Sequence, residues 1–556
     1  MSSPPPSRAK ALATRILTWH LPVLAIVAAW AAVSTQVKDP YMDEPFHAPQ
    51  ARAYCAGNWD TWDPKLTTPP GLYLVSLAIL RPLALLLRAI PPTMLPSALQ
   101  LGPPATATEV IPPALCTLPM LRLTSTLLSI LLLSLCMATV RDVSREQQVD
   151  TALAQLASPT SAKSASSTSK IQSDDQLKQI MTSASSGPLS LSPALAAWNA
   201  LNAWLHPIAV FFYAMYYTDT ASSVLVLAAY LLARRRWYWL SGLVGLASIL
   251  VRQTNAIWLC FSAGVTLVAR IRHAEARRLL LSQPHALPAW VLGTCPEYTF
   301  AAWLADHLAL VRAVVSRYRA KSFRVLAPAT LALGVAAAAA RANGGLLAGD
   351  KDNHKLAVHV PQVMYCTVAV FALCLPIVVT LADLSAYVVF TLRKLRSRRG
   401  FSVMFVVFSL MLLAVHFLSY THPFLLADNR HVTFYLWKNV MRAHWAAKYL
   451  LVPVYFMAGW FLYRRMGMDQ GSLFISVYAT AVALTLVPSP LVEVRYFILP
   501  ALMYRLHCVE RKPWKLAVES ALHLVVAGVA WWVFLDEEKW GFEWASEPGV
   551  RMRFMW

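Results

Sequence analysis

Asp39-Pro-Tyr-Met-Asp-Glu-Pro-Phe-His-Ala-Pro-Gln50, continued by Trp62-Asp-Pro-Lys-Leu-Thr-Thr-Pro-Pro-Gly-Leu-Tyr73, is a polar, proline-punctuated run placed directly after the first hydrophobic span. Proline lacks an amide donor and disfavours helix in the residue before it. Pro45 and Pro49 therefore predict extended backbone at Asp43 and Glu44, and a short helix only from Pro49 to Ala56, stopped at Gly57. Thr68-Pro69 reads as the cap and first turn of the next helix. An Asp-Glu pair in an ordinary loop is a solvated turn. Here it shares one loop with His47, Arg52, four prolines between positions 40 and 64, and the interface anchors Tyr54, Trp59 and Trp62. That company makes Asp43 and Glu44 the candidate catalytic carboxylates, placed where water meets lipid.

Composition sets the surroundings of this loop. The 556 residues are 57% hydrophobic and only 14% charged, with a mean hydropathy of +0.49, too apolar for a soluble globular chain. The fold class is an all-α polytopic membrane protein. Lys plus Arg number 49 against 28 Asp plus Glu, a formal charge of +21, which in a soluble protein would suggest nucleic acid. Here the basic residues cluster between apolar spans, so membrane orientation explains them and no nucleic-acid partner is expected. Of the eight cysteines, Cys136, Cys260, Cys366 and Cys374 lie in or beside apolar spans and no Cys-x-x-Cys pair occurs. That speaks against a disulfide scaffold or a zinc site.

Ile16 to Val33 reads as an anchoring helix following Arg8, Lys10 and Arg15. Pro91 to Leu121 holds no Lys or Arg, whereas Arg141 to Ser192 holds Arg141, Arg145, Lys163, Lys170 and Lys178. The positive-inside rule places the first tract outside and the second in the cytosol. Leu72 to Ile90 then lies along the interface or re-enters, and Leu121 to Val140 becomes the second span; the alternative is that Leu72 to Ile90 crosses and the Ser-rich tract lies outside. The resulting organisation is one multispanning domain, 1–556, with about thirteen spans. Residues 36–120 form a first lumenal loop with interfacial helices, 141–192 a disordered Ser-rich cytosolic insertion, and 271–324 a cytosolic loop. Threading the remaining spans brings Tyr216 to Asp219, Arg252 to Asn255, Gly349 to Gln362, His422 to His431 and Glu493 to Tyr496 to the face that carries Asp43.

Pro-Tyr-Met-Asp-Glu with Phe-His-x-Pro-Gln, then Trp-Asp-Pro-Lys-Leu-Thr-Thr-Pro-Pro-Gly-Leu-Tyr, resembles the endoplasmic-reticulum alpha-1,2-glucosyltransferases that add the last glucose to the dolichol-linked oligosaccharide. The resemblance continues through Arg252-Gln-Thr-Asn255, Gly349-Asp-Lys351, His359-x-Pro-Gln362, Leu425-Leu-Ala-Asp-Asn-Arg-His431, Glu493-x-Arg-Tyr-Phe-Ile-Leu-Pro500 and Arg553-Phe-Met-Trp556. Departures are Pro45 in place of an aliphatic residue, Asp219 in place of Glu, and the Ser-rich insertion. The resemblance implies a GT-C architecture in the endoplasmic-reticulum membrane with a lumenal active site. It implies dolichyl-phosphate glucose as donor and a diglucosylated lipid-linked oligosaccharide as acceptor, joined with inversion. Inversion fits one general base on the acceptor hydroxyl, Asp43 first and Glu44 second, opposite a departing phosphate.

Charge building on that phosphate calls for cations or donors, in the order Arg495, Arg430, Lys351, His359 and His431. Arg495 could instead pair with Glu493 or snorkel. The substrate-binding candidates also include Asp428, in the dense Asp428-Asn-Arg-His431 run, Trp62, and Asp219 as either substrate contact or helix N-cap. Arg252 and Asn255 read as scaffolding, and His206 and His422, each before a proline, as structural. Asp350-Lys-Asp352 matches the Asp-x-Asp spacing of metal-dependent nucleotide-sugar enzymes, but a monophosphate donor offers no diphosphate to bridge, so no cofactor and no essential metal are expected. A transporter or flippase would carry ionisable residues near mid-membrane and repeated halves, neither of which is visible. A related lipid-phosphate-sugar mannosyltransferase differs in donor, which the residues alone do not distinguish.

Overall fold

A computed structural model describes residues 8–94, 109–156, 191–282, 287–293, 300–353 and 355–556. Its helices of ten or more residues, in chain order, are α1 (Leu12–Gln36), α2 (Glu44–Cys55), α3 (Gly71–Ala89), α4 (Leu118–Leu156), α5 (Pro193–Trp204) and α6 (Thr218–Arg234). There follow α7 (Tyr238–Val251), α8 (Asn255–Ser282), α9 (Phe300–Arg317), α10 (Arg319–Ala342), α11 (Pro361–Leu373) and α12 (Leu381–Arg396). The last are α13 (Arg398–Phe417), α14 (Val452–Asp469), α15 (Ser472–Leu486), α16 (Ile498–His507) and α17 (Pro513–Leu535). A two-stranded antiparallel ribbon, β1 (Phe542–Glu543) with β2 (Arg551–Met552), precedes the tail.

Among the described residues, six helices are long and apolar enough to cross a bilayer: α1, α3, α4, α10, α13 and α17, while α7, α11 and α15 are apolar but shorter. Large apolar side chains such as Phe405 on α13 and Val525 on α17 stay exposed, as lipid-facing residues of an all-α membrane protein should. The main core is built where α4, α5, α6 and α16 converge, around Trp204, Tyr213, Tyr230 and Tyr504.

Several expectations from the sequence are corrected. Asp43 and Glu44 are not extended: Asp43 has helical φ and ψ (−85°, −14°) and α2 begins at Glu44. Pro45 falls in the first turn, where its missing N–H would have had no partner anyway, and Pro49 is carried inside the helix. A left-handed turn at Met42 (φ 59°) redirects the chain just before it. The stop at Gly57 holds, with φ of 85° where a Cβ would be strained. Thr68-Pro69 does not cap α3, which starts at Gly71. A Cβ on Gly71 would come within 2.4 Å of the Leu250 backbone, so glycine permits the end of α7 to rest on the start of α3.

The expected span from Pro193 to Met215 breaks at Leu205–His206, and the length from Val363 to Phe390 breaks between α11 and α12, where Thr380 caps α12 through the Asp383 amide (3.1 Å). Residues 141–156 are helical rather than part of a disordered insertion, because α4 runs on to Leu156 with Glu146 paired to Arg234. The rest of the Ser-rich tract, 157–190, lies outside the described residues. Much of the 271–324 segment is helix, supplied by α8, α9 and α10. Helix α3 has the length of a span, yet both of its ends are tied to the first loop: Tyr73 packs on Tyr54 (5.6 Å), and Arg88 pairs with Glu109 (3.5 Å), beside the Val110 amide that bonds the Cys55 carbonyl.

The cysteine reading also needs correction, since Cys55 and Cys116 form a disulfide across 61 residues. It ties the end of α2 to the entry of α4, and sequence spacing could not show it because the two cysteines meet only in the folded loop. Closing a loop of this length stabilises mainly by restricting the unfolded chain. Cys55→Ser should lose about 2–4 kcal/mol, read as a lower thermal midpoint in detergent; a midpoint unchanged by the substitution and by reductant would rule the bridge out.

Candidate active site

The first loop is anchored by one buried ion pair. Glu44 is fully buried, and Arg122, from the first turns of α4, donates Nε to its Oε1 (2.9 Å) and Nη2 to its Oε2 (2.5 Å). The amides of Tyr41 (3.1 Å) and Tyr216 (2.9 Å) donate to the same carboxylate. Arg122 also donates Nη1 to the Val37 carbonyl (2.6 Å), so its charge is spread over the end of α1 and the start of α2. With both oxygens engaged and no exposure, Glu44 is a brace rather than a base.

Its neighbour points elsewhere. The Asp43 side chain is 36% exposed, and Arg495 donates Nη1 to its Oδ2 at 2.7 Å. The Asp43 amide donates to the Tyr217 hydroxyl (3.0 Å), fixing the carboxylate against the start of α6. Burial would raise the Asp43 carboxyl, but Arg495, then His47, hold it below the ordinary carboxylate value. His47, whose Nδ1 lies 2.8 Å from the Tyr73 hydroxyl, is pushed down to about 4 by burial, so it is neutral near pH 7.

Arg495 sits in the short turn Val494–Phe497, with its guanidinium over Tyr217 (5.6 Å) and Tyr496 (5.7 Å) and a close pair to Glu493. Arg495 thus pairs with Glu493, as the structural reading expected, and it also touches Asp43, a contact the sequence did not suggest. Arg252 also lies over Tyr496 (5.5 Å) and pairs with Asp219 Oδ1. Asp219 is not the cap of α6, a position held by Tyr217; its Oδ2 is buried with no partner among the described residues. Asn255 bonds Ser222 and the Ser248 carbonyl, as scaffolding does.

A third wall comes from 428–431 and the tail. Arg430 grips Asp428 through Nε (2.9 Å) and Nη2 (2.8 Å) and stacks on Trp544 (4.5 Å), while its Nη1 has the Met552 sulfur at 4.0 Å. His431 Nδ1 lies 2.6 Å from the Trp556 carbonyl oxygen, and the Met555 amide donates to the Arg430 carbonyl (2.9 Å). Tyr41 clamps the tail, accepting from the Arg553 amide (2.7 Å) and donating to the Arg553 carbonyl (2.5 Å). The charge of His431 acts on the Asp43 carboxylate, so this wall lies near Asp43.

The remaining candidates have other partners. Lys351 is exposed and donates to the Asn343 carbonyl (2.6 Å). Its loop nevertheless supports the site, because the Asp350 amide donates to the Pro64 carbonyl (2.8 Å) and Gly349 has no room for a Cβ against that oxygen. Asp350 accepts from Asn353 and Asp352 pairs with Lys355 (3.8 Å), so the Asp-x-Asp match resolves into two separate contacts. His359 is buried, its amide bonded to the Val487 carbonyl (2.8 Å), bracing the turn that leads to Glu493. Trp62 packs its edge on Tyr73 (6.2 Å) with its indole N–H buried and unpartnered among the described residues. His422 caps the Phe424 amide (3.1 Å), and His206 packs beside His523 (6.1 Å).

Sequence reasoning passed over Arg122, and it gave Tyr41 and Tyr217 no individual role although both lie in runs it singled out. Arg122 carried a signal, being a charged residue just inside an apolar span. Breaking a buried pair by removing one partner costs about 3–5 kcal/mol. Arg122→Met should therefore lower the thermal midpoint and the folded yield, while Arg122→Met with Glu44→Leu recovers stability; equal losses in both variants would show that the pair is not the anchor.

Compared with known proteins, the chain matches the DIE2/ALG10 family over residues 37–506. It is 30% identical to the Dol-P-Glc:Glc(2)Man(9)GlcNAc(2)-PP-Dol alpha-1,2-glucosyltransferase of Mus musculus, covering 95% of each chain. It is 29% identical to the enzyme of that name from Arabidopsis thaliana, over 96% of this chain and 99% of the relative, and 28% identical to one from Homo sapiens, over 95% of each. No solved structure matches. The match covers the first loop, the Arg252, His359 and Asp428–His431 segments and the Glu493–Arg495 turn, and the chain belongs to the DIE2/ALG10 family.

Proposed function

We propose that this protein is an inverting membrane glucosyltransferase that moves glucose from dolichyl-phosphate glucose to the diglucosylated lipid-linked oligosaccharide, forming the terminal alpha-1,2 linkage. The observation that carries the reading is the Asp43–Arg495 contact, a carboxylate kept ionised in a partly open site. The family membership and the names of the full-length relatives support the substrates. The architecture is GT-C, with about thirteen spans, several of them formed by broken helices. The site faces the endoplasmic-reticulum lumen, a side that the Cys55–Cys116 bridge favours because disulfides persist in oxidising compartments.

In the reaction the acceptor hydroxyl gives its proton to Asp43 as its oxygen attacks the anomeric carbon, and the dolichyl phosphate leaves from the opposite face. Base and leaving group lie on opposite sides of the sugar, so a cation 2.7 Å from the base serves the base. Arg495 accordingly orients Asp43 and holds its charge. Arg430, preset by Asp428 and Trp544 with Nη1 beside the Met552 sulfur, takes the phosphate, where charge grows in the transition state. The unpartnered Asp219 Oδ2 and Trp62 N–H are an acceptor and a donor for sugar hydroxyls. A monophosphate donor offers no diphosphate for a metal to bridge, so chelator should leave turnover unchanged; loss restored by added metal would overturn the metal-free reading.

Asp43→Asn should lower kcat by about 10²–10⁴-fold with the folded yield retained, measured as glucose transfer from dolichyl-phosphate glucose in detergent. Full activity in that variant would remove Asp43 from the chemistry. The folded carboxyl is depressed, so wild-type activity persists as pH falls until that low value is reached. In Arg495→Gln burial is no longer offset by the guanidinium, and the acid limb of kcat/KM should move to higher pH. An unmoved limb would detach Arg495 from the base.

A further inference from the structure

The far end of α4 carries a second concentration of charge that the transfer reaction does not use. Glu146 lies about 36 Å further along the helix than Arg122, at 1.5 Å per residue. There α4, the C-terminal end of α6 and α8 enclose a cavity of about 210 Å³ lined by Arg145, Arg234, Thr266, Arg270 and His273, with Asp142 and Glu146 on the same wall.

The carboxylates at this site are already met. Arg234 Nη2 is 2.5 Å from Glu146 Oε2, and Arg235 Nε is 3.0 Å from Asp142 Oδ2. The donors are in surplus. Arg234 Nε is buried without an acceptor, and so is the hydroxyl of Thr266, a residue 2% exposed, among the described residues. Thr266 stands mid-helix, where a hydroxyl ordinarily bonds the carbonyl one turn back. Arg145 extends its largely exposed side chain at the rim, 3.9 Å from Asp142 Oδ1, and Arg270 donates Nη2 to the Arg234 carbonyl (2.5 Å). Three guanidiniums and an unsatisfied hydroxyl around one small cavity are the chemistry that recognises a tetrahedral oxyanion.

We propose that this cavity binds a phosphoryl group, presented by an anionic lipid in the leaflet opposite Asp43. Its place where the end of α6 meets α4 and α8 suits a headgroup, since basic pockets of this kind hold phosphate lipids at membrane surfaces. Trp237 and Trp239, exposed at the adjoining start of α7, are interface anchors at that level. A divalent cation is the rival occupant, because Glu146, Asp150 and His273 bring ligand atoms within 4.8 Å of one another. A cation would have to displace Arg234 from Glu146 and Arg272 from Asp150 (3.1 Å), whereas a phosphate supplies acceptors to donors that lack them.

The test is thermal unfolding of the full chain in detergent with added dioctanoyl phosphatidic acid, dioctanoyl phosphatidylcholine, inorganic phosphate or manganese chloride. Phosphatidic acid should raise the midpoint saturably by about 4 °C, and phosphatidylcholine should not. Arg145→Gln with Arg270→Gln should raise the half-saturating concentration about tenfold, and Thr266→Val, which removes a hydroxyl with no hydrogen-bond partner among the described residues, about fivefold. Both variants should keep glucosyl transfer, since these residues lie outside the Asp43 site; if the double variant does not fold, Thr266→Val carries the test. An equal shift with inorganic phosphate keeps the phosphoryl site and assigns it to a soluble anion. Shifts unchanged in the variants, no shift with either phosphate, or a shift with manganese alone would overturn the proposal.

Discussion

The Glu44–Arg122 pair is the constraint on which the candidate site depends. A fully buried carboxylate in an apolar protein is costly unless its lone pairs are met, and here four donors from three segments converge on it. Because Arg122 belongs to α4 and Tyr216 precedes α6, the pair sets where the first loop sits relative to the helix bundle. Asp43 is the next residue, so its position follows. One carboxylate is consumed in holding the loop while its neighbour is left at the open edge.

That arrangement explains how adjacent acidic residues acquire different chemistry. Glu44 points into the core as the first residue of α2, whereas Asp43, one residue earlier and about 100° around the helix axis, faces Arg495. Arg495 is itself held between Glu493 and two tyrosine rings, which keeps the guanidinium in place without quenching it on Asp43 alone. The tail adds a fourth segment, clamped by Tyr41 and His431, so that the site is walled by parts of the chain more than 500 positions apart, as in the Tyr41–Arg553 contact.

Much of the site was legible along the chain. The polar runs around Asp43, Asp219, Asp428–His431 and Arg495 stand out against apolar spans because charged groups in such a protein need a reason to be there. Lys351 illustrates the limit: its loop docks against Pro64, but the side chain bends back to Asn343, and no one-dimensional pattern encodes that turn. Pro45 shows another, since the same residue breaks a helix interior and favours a helix start, and only the turn at Met42 decides between them.

By itself the sequence determined the class of protein, an all-helical membrane chain, and the motifs that mark its family, because hydropathy and long ordered motifs are properties of the chain read residue by residue. Tertiary structure alone decided that Glu44 braces and Asp43 faces the opening, that Cys55 meets Cys116, and that Arg122 closes the anchor. Each of these depends on which distant groups share a buried volume. Pairing of that kind is set by packing in three dimensions, and neighbours in sequence carry no record of it.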